Sequence, residues 1–255
     1  MQSSIIPLYP TSLEKRRCAF MSGFGVESDS VSPCFQISHE ADGKQTGCYV
    51  TRVTQCFHCT APHLEVASHI AKGVFPTTVR DALSPGVVEN ALLITPLIEP
   101  LQSSGESYPV GHSEDSVISK RALVNEIKKH RDVVRDTVII RLSDNTLNIN
   151  QDGEILEWPY LTLEAAGYLH NNFMHIRTNI PSIERKVSHG GMWSHALFFG
   201  MDPARPFNNS QILQKRTVGE LFHLPDELAD GEHRLCCPYQ ELGLDSALTL
   251  PIVIS

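Results

Sequence analysis

Residues 161–180 read LTLEAAGYLHNNFMHIRTNI, and this stretch carries the fold class. Thr162 stands where a helix N-cap belongs, and Leu163, Ala166 and Leu169 recur at helical spacing behind it. FMHIRTNI at 173–180 then resumes strand character and stops at Pro181. Upstream, TVIIRL at 137–142 and ALLITPLI at 91–98, the latter broken by Pro96, read as strands. Between them lie a Ser/Gly/Glu-rich loop at 102–116 and a helix over about 119–134, on the spacing of Leu123, Val124, Ile127 and Val134. Strand, helix and strand alternating at these lengths predict an α/β domain whose sheet is at least partly parallel. Further out, CYVTRVTQCF at 48–57 reads as a strand, Asp152-Gly153 as a turn, and the terminal LTLPIVIS as a strand. Pro251 makes that last strand a candidate edge, because proline cannot donate to a ladder.

The chain has 255 residues, enough to bury a sizeable core, and 41% apolar with 20% charged residues describes an ordinary globular protein. No linker divides it, so it reads as one domain over 1–255, with 1–40 poorly defined. Lys plus Arg is 21 against 29 Asp plus Glu, a net charge of −8. That balance argues against nucleic acid as a partner, and Lys15-Arg16-Arg17 is too short to reverse it. The start, MQSSIIP, has no basic lead and does not read as a signal peptide. No stretch approaches the roughly 18 apolar residues of a membrane span. Seven cysteines, with one CxxC (Cys56 and Cys59) and no second, point to reduced thiols rather than a disulfide framework. The expectation is a cytoplasmic protein with no membrane partner.

The chemistry concentrates in HCTAPHLEVASHI at 58–70, which gathers His58, Cys59, His63, Glu65 and His69. His63 and Glu65 are two residues apart, so on a strand they point to one side. Imidazole with carboxylate on one face suits a divalent ion such as Zn²⁺, Mn²⁺ or Fe²⁺. Two later segments offer more ligands: SHGGMWSHALFFG at 188–200, with His189 and His195, and RTVGELFHLPDELADGEHRL at 216–235, with Glu220. A carboxylate in an otherwise apolar strand is costly unless it is paired or coordinated. Ser182 lacks a Gly-x-Ser-x-Gly elbow and reads as a turn residue.

The 58–70 run resembles the HxGTHxDxPxH signature of the cyclase or kynurenine-formamidase-like metal hydrolases. His63 falls on its second His, Glu65 on its acid and His69 on its last His. The resemblance covers roughly 45–251: LTLEAAGY looks like the helix opening, HIRTNIPSIER at 175–185 is similar to the strand and turn that follow, and His195 and Glu220 sit where the family keeps later ligands. The sequence departs from the signature in four places. Ala61-Pro62 replaces Gly-Thr, Glu65 replaces Asp, Ala67 replaces Pro, and the first His is out of step. His58 on a bulge, or Cys59 as thiolate, are the alternatives for that first ligand.

The resemblance implies a layered swivelling β/β/α-type fold with a partly parallel central sheet, a second antiparallel sheet and flanking helices. It also implies hydrolysis of a non-peptide carbon–nitrogen bond (an amide, formamide or cyclic amide) in a small-molecule substrate. One or two divalent ions, Zn or Mn, would activate water. His58, His63, Glu65, His195 and Glu220 are then the metal ligands, and His69 the catalytic proton shuttle. A homo-oligomer, dimer or tetramer, follows by analogy. A binding or regulatory protein that kept the fold, and a metal-dependent lyase or dehydratase, are the competing readings.

Overall fold

The structure is a computed structural model that describes residues 5–7, 34–39, 45–52, 62–71, 78–84, 86–130, 135–143, 146–149, 155–189, 191–203, 215–239 and 245–254. Its centre is a nine-stranded mixed sheet. Numbered along the chain within this sheet, the strands are β1 (Ile5–Pro7), β2 (His63–Glu65), β3 (Val88–Ile94), β4 (Thr137–Ile140), β5 (His175–Thr178), β6 (Thr217–Glu220), β7 (Gly231–Cys236), β8 (Ser246–Leu248) and β9 (Ile252–Ile254). The spatial order is β1-β9-β7-β3-β4-β5-β6-β2-β8. The four inner strands β3, β4, β5 and β6 run parallel, and every other pairing in the sheet is antiparallel. The apolar runs ALLI and TVII suit this position, because parallel strands are covered on both faces.

The register sorts the side chains. Leu92, Val138, Ile176 and Val218 lie side by side across the inner strands, with Glu65 next in the row. That face packs on the helices Lys120–Ile127, Leu163–Asn172 and Trp193–Phe198, through Leu123, Ala165, Leu169, Ala196 and Phe198. The opposite face carries Ala91, Leu93, Ile139 and Leu64, against Val79, Phe222 and Leu228. Each fully buried Leu or Ile contributes about 1.5–3 kcal/mol relative to exposure, so the two layers anchor the sheet from both sides.

The helix read from the opening stretch is Leu163–Asn172, with the Thr162 hydroxyl accepting the Ala165 N–H at 3.1 Å. The expected helix over 119–134 is shorter: Ser119 caps Lys120–Ile127, and a 3₁₀ turn, Lys128–His130, ends it. Only Ala122 and Leu123 of it are buried, so little packing favours its extension. Residues 131–134 lie outside the described residues, as do Asp152-Gly153 and the second half of the 48–57 strand. The expected loop over 102–116 is shorter: one helical turn, Leu101–Ser104, takes its first residues and the strand Ser116–Ile118 takes its last. β3 ends at Ile94, where Asp230 takes both the backbone N–H and the hydroxyl of Thr95.

The terminal run departs from expectation. It divides at Pro251 into β8 and β9, and β9 is not an edge: it lies between β1 and β7 with Val253 fully buried. Proline interrupts the ladder, so the chain leaves one border of the sheet and re-enters near the other. The edges of the sheet are β1 and β8. Beside the large sheet stand an antiparallel pair, Cys34–His39 with Gln45–Arg52, a second such pair, Asn148–Ile149 with Ile155–Glu157, and a three-stranded sheet of Glu99–Pro100, Ser116–Ile118 and Tyr160–Leu161. The α/β class with a parallel centre, smaller sheets and flanking helices is therefore the one the sequence leads to.

Arg177 lies wholly buried on the face away from the helices, with its guanidinium 3.0 and 3.1 Å from the two oxygens of Glu89. A Cβ at position 219 would come within 2.7 Å of Arg177 Cδ, so glycine there makes room for the Arg177 stem. His175 joins this network through Thr217 Oγ1 at 2.9 Å. Burial, then the Arg177 charge, hold the His175 pKa down at about 4 from 6.5. The unfolded chain thus binds a proton near pH 6.5 that the folded chain refuses until about pH 4. Stability from this group is present above pH 6.5 and is lost as the pH falls through about 4. Denaturation midpoints measured from pH 7 to 4.5 are expected to fall less steeply in His175→Gln than in the parent protein. Identical slopes would remove His175 as the cause.

Among the described residues no helix is long and apolar enough to cross a membrane. Cys236 and Cys237 are free, and burial pushes the Cys237 thiol pKa up.

Candidate metal centre

His63 and Glu65 occupy the two ends of β2, facing the helix layer, and their neighbours across the ladder place the remaining groups. Glu220, the last residue of β6, pairs with His63. Directly after it, Leu221 takes a left-handed φ of 60°, unusual for a branched side chain. The chain turns there with the Leu221 and Phe222 N–H groups donating to Ile180 and Thr178, which holds Glu220 at the strand terminus. Glu220 Oε1 also accepts the Ile183 N–H at 2.9 Å. From the layer above, the Trp193–Phe198 helix lowers His195 onto the same spot.

The four side chains form a closed ring. Glu65 Oε1 is 3.0 Å from His63 Nε2, and Glu65 Oε2 is 3.3 Å from His195 Nε2. Glu220 repeats the pattern, with Oε2 3.6 Å from His63 Nε2 and Oε1 3.4 Å from His195 Nε2. Each carboxylate thus spans both imidazoles. All four residues are 1% exposed. Such a cluster of charge beneath the surface is costly unless it is balanced.

The charges of the ring govern how its members hold protons. Burial favours neutral imidazole, yet Glu220 and Glu65 outweigh it and hold the His63 pKa up at about 10. Burial is likewise outweighed at His195, by Glu184, Glu220 and Glu65, and its pKa lies well above the usual value. Burial would raise the carboxyl pKa values, but His69, His195 and His63 hold Glu65 well below the usual range. For Glu220, burial and Glu65 raise the pKa, and His195 with His63 lower it further than that. The imidazoles and the carboxylates thus stabilise each other's charged forms, and a divalent cation would take the place of imidazole protons between the two acids when it binds.

The donor set fits such an ion. Ligand atoms of His63, Glu65 and Glu220 all lie within 4.8 Å of one another. Bonds of about 2.0–2.2 Å to nitrogen and oxygen require ligands within about 4.4 Å of each other, so a small inward adjustment suffices. His195 Nε2 is buried between the two acids and makes no well-directed hydrogen bond to either, leaving it a donor atom for a cation.

His69 sits in the helical turn Ser68–Ala71, four residues beyond Glu65. Its Nε2 is 3.9 Å from Glu65 Oε1, and its Nδ1 is 3.8 Å from Asp245 Oδ2. With its side chain 22% exposed against 1–2% for His63 and His195, His69 forms the rim of the cluster. Burial lowers its pKa, and the Glu65 and Asp245 carboxylates raise it above the usual value on balance.

Of the residues singled out from the sequence, His63, Glu65, His195 and Glu220 come together and His69 borders them. His58 lies outside the described residues, as does its alternative Cys59. His189 is exposed with a φ of 50°, and His223 is half-buried. Ser182 is a turn residue whose hydroxyl accepts the Glu184 N–H. Trp158, Phe198 and Phe199 are core, and Trp193 is half-buried against Tyr108. Sequence reading missed Glu184, which holds the far side of His195, and Asp245, which faces His69. Glu184 follows Pro181 in the segment SIER, an ordinary polar turn, and Asp245 lies in an unremarkable Gly-Leu-Asp; neither carries a local signal.

No protein-family model and no curated protein matches the chain. Solved structures do match over nearly its whole length. A predicted metal-dependent hydrolase from Bacillus stearothermophilus aligns with a TM-score of 0.60 at 14% identity, covering 100% of this chain and 99% of that one. A potential metal-dependent hydrolase with cyclase activity aligns at 0.54 and 13%, covering 99% and 98%. Isatin hydrolase A from Ralstonia solanacearum aligns at 0.58 and 13%, covering 99% and 92%. The chain thus shares its fold, across nearly its full length, with a predicted and a potential metal-dependent hydrolase and with an isatin hydrolase.

Proposed function

We propose that the chain is a metal-dependent hydrolase of a non-peptide carbon–nitrogen bond in a small molecule, an amide, formamide or cyclic amide. The observation that carries this reading is the buried ring in which Glu65 and Glu220 each span His63 and His195. A structural ion pair needs one acid and one base; two of each, beneath a rim histidine, form a pre-built cation site. The fold shared with metal-dependent hydrolases supports it, and isatin hydrolase, whose substrate is itself a cyclic amide, supports the bond class.

His63, Glu65, Glu220 and His195 would hold one or two divalent ions, Zn²⁺ or Mn²⁺. When bound, the metal supplies activated water at neutral pH and charge stabilisation for the carbonyl oxygen. His69 does the proton work. Its Nε2 lies 3.9 Å from Oε1 of the carboxylate Glu65, on the rim from which it would reach a water held there, and its Nδ1 lies 3.8 Å from Asp245 Oδ2. When Nε2 takes the proton of that water, Asp245 and Glu65 stabilise the imidazolium until the proton passes to the leaving nitrogen. Burial of the ring beneath, with each residue 1% exposed, keeps bulk solvent from that side of the reacting centre.

The test is elemental analysis of protein purified without chelators, then a turnover screen across formamides, lactams and cyclic amides. Stoichiometric metal and turnover of at least one class are expected. His69→Ala should lower turnover by about 10²–10⁴-fold with metal content intact. A metal-free, folded protein would defeat the reading. Metal with no turnover of any class would favour the binding-protein alternative, and turnover indifferent to His69→Ala would remove His69 as the proton shuttle.

A further inference from the structure

We propose that Glu184 is a positioning residue for His195, clamping its ring so that Nε2 alone is presented to the centre; this rests on the metal reading above. The Trp193–Phe198 helix is short, and Met192 at its N-cap makes no side-chain cap. The backbone N–H of His195 is therefore one of the donors a helix start leaves without an internal partner. Glu184 Oε1, from a separate segment, accepts that N–H at 2.7 Å and lies 3.1 Å from Nδ1 of the same residue. One oxygen thus grips His195 by backbone and ring together.

The two nitrogens of an imidazole point to opposite sides of the ring. Glu184 on Nδ1 therefore stands away from Glu65 and Glu220 on Nε2, and takes no place in the ring of ligands. A carboxylate on Nδ1 keeps a proton there and leaves the Nε2 lone pair for a cation. Glu184 is itself held at every polar atom. Its Oε2 accepts the Tyr108 hydroxyl, its N–H donates to Ser182 Oγ at 3.2 Å, and its carbonyl accepts the Trp158 Nε1–H at 3.0 Å. Tyr108 is wedged between Tyr160, with ring centroids 4.5 Å apart, and Trp193, met edge-on at 5.5 Å. Trp193 opens the helix that carries His195, so aromatic packing and the carboxylate clamp set the same orientation.

The experiment is a Co²⁺ titration of the full chain, read by calorimetry and by visible absorption. Glu184→Ala is expected to weaken Co²⁺ binding by about 10–100-fold and to shift the absorption bands. Glu184→Gln keeps an acceptor for both N–H groups but not the charge, so it should recover part of the loss. In a His195→Ala background, Glu184→Ala should add less than twofold, because Glu184 acts through His195. A folded Glu184→Ala with parental Co²⁺ affinity and bands overturns the proposal, as does an equal loss in the His195→Ala background. If Glu184→Ala fails to fold, Glu184→Gln decides: unchanged affinity and bands overturn the proposal, and a weakened, shifted site sustains it. A parental protein that takes up no Co²⁺ overturns the metal reading itself, and this inference with it.

Discussion

Glu65→Ala is expected to strip the protein of divalent metal. Glu65 is the hub of the cluster: one oxygen meets His63 at 3.0 Å, the other faces His195 at 3.3 Å, and His69 approaches the first at 3.9 Å. Alanine removes both oxygens, leaving Glu220 as the sole acid between two buried imidazoles. Loss of groups that merely support a ligand costs about 10–100-fold in metal affinity, and loss of a residue that would itself hold the metal should exceed that. With one carboxylate gone, a divalent charge in a dry site also goes half-balanced. Elemental analysis of the parent protein and Glu65→Ala, prepared side by side without chelators, measures this. Glu65→Asp, which restores the acid of the related signature on a shorter stem, should recover much of the metal. Equal metal in the parent and in Glu65→Ala would place the metal elsewhere.

Arg177→Ala is expected to destabilise the fold by roughly 3–5 kcal/mol, the usual cost of removing one partner from a buried ion pair. The guanidinium is fully buried and donates to both oxygens of Glu89, to the Ile176 carbonyl and to Thr217 Oγ1. Alanine orphans the Glu89 charge, which Thr137 also contacts, in an apolar layer of Leu93, Ile139 and Leu235. Glu89→Ala, leaving the cation instead, should cost a similar amount. Replacing both, as Arg177→Met with Glu89→Leu, removes the uncompensated charge and is expected to be near neutral or stabilising. Urea denaturation of the four proteins compares their stabilities. A loss below about 1 kcal/mol in Arg177→Ala would show that water or rearrangement satisfies Glu89 after all.

The ion pair and the metal cluster occupy opposite faces of one sheet, and strand alternation decides which residue serves which. In β5, Ile176 faces the helices while His175 and Arg177 face away. In β6, Val218 and Glu220 face the helices while Gly219 yields to Arg177. A one-residue slip in either strand would exchange the faces, burying the guanidinium among the helices and withdrawing Glu220 from His63.

What could be read from the sequence is what local geometry determines. The capped helix at Thr162, the apolar inner strands and the α/β alternation follow from spacings of one to four residues, which propensity and capping control. The shared face of His63 and Glu65 follows from the two-residue repeat of a strand. That Glu220 and His195 close a ring with them was legible only through resemblance, because β6 and the Trp193–Phe198 helix lie far along the chain. Strand order and helix docking bring them together, and both are set by burying whole faces rather than by any local signal. For the same reason the terminal strand is not the edge that Pro251 suggests: proline marks a break in the ladder but not where the chain goes next. Glu184 and Asp245 sit in ordinary polar turns, so only the folded chain shows that one grips His195 and the other faces His69. The sequence by itself determined the elements and the His63–Glu65 pair; the tertiary structure alone decided which distant acids and imidazoles meet, because desolvation acts on surfaces assembled from the whole chain.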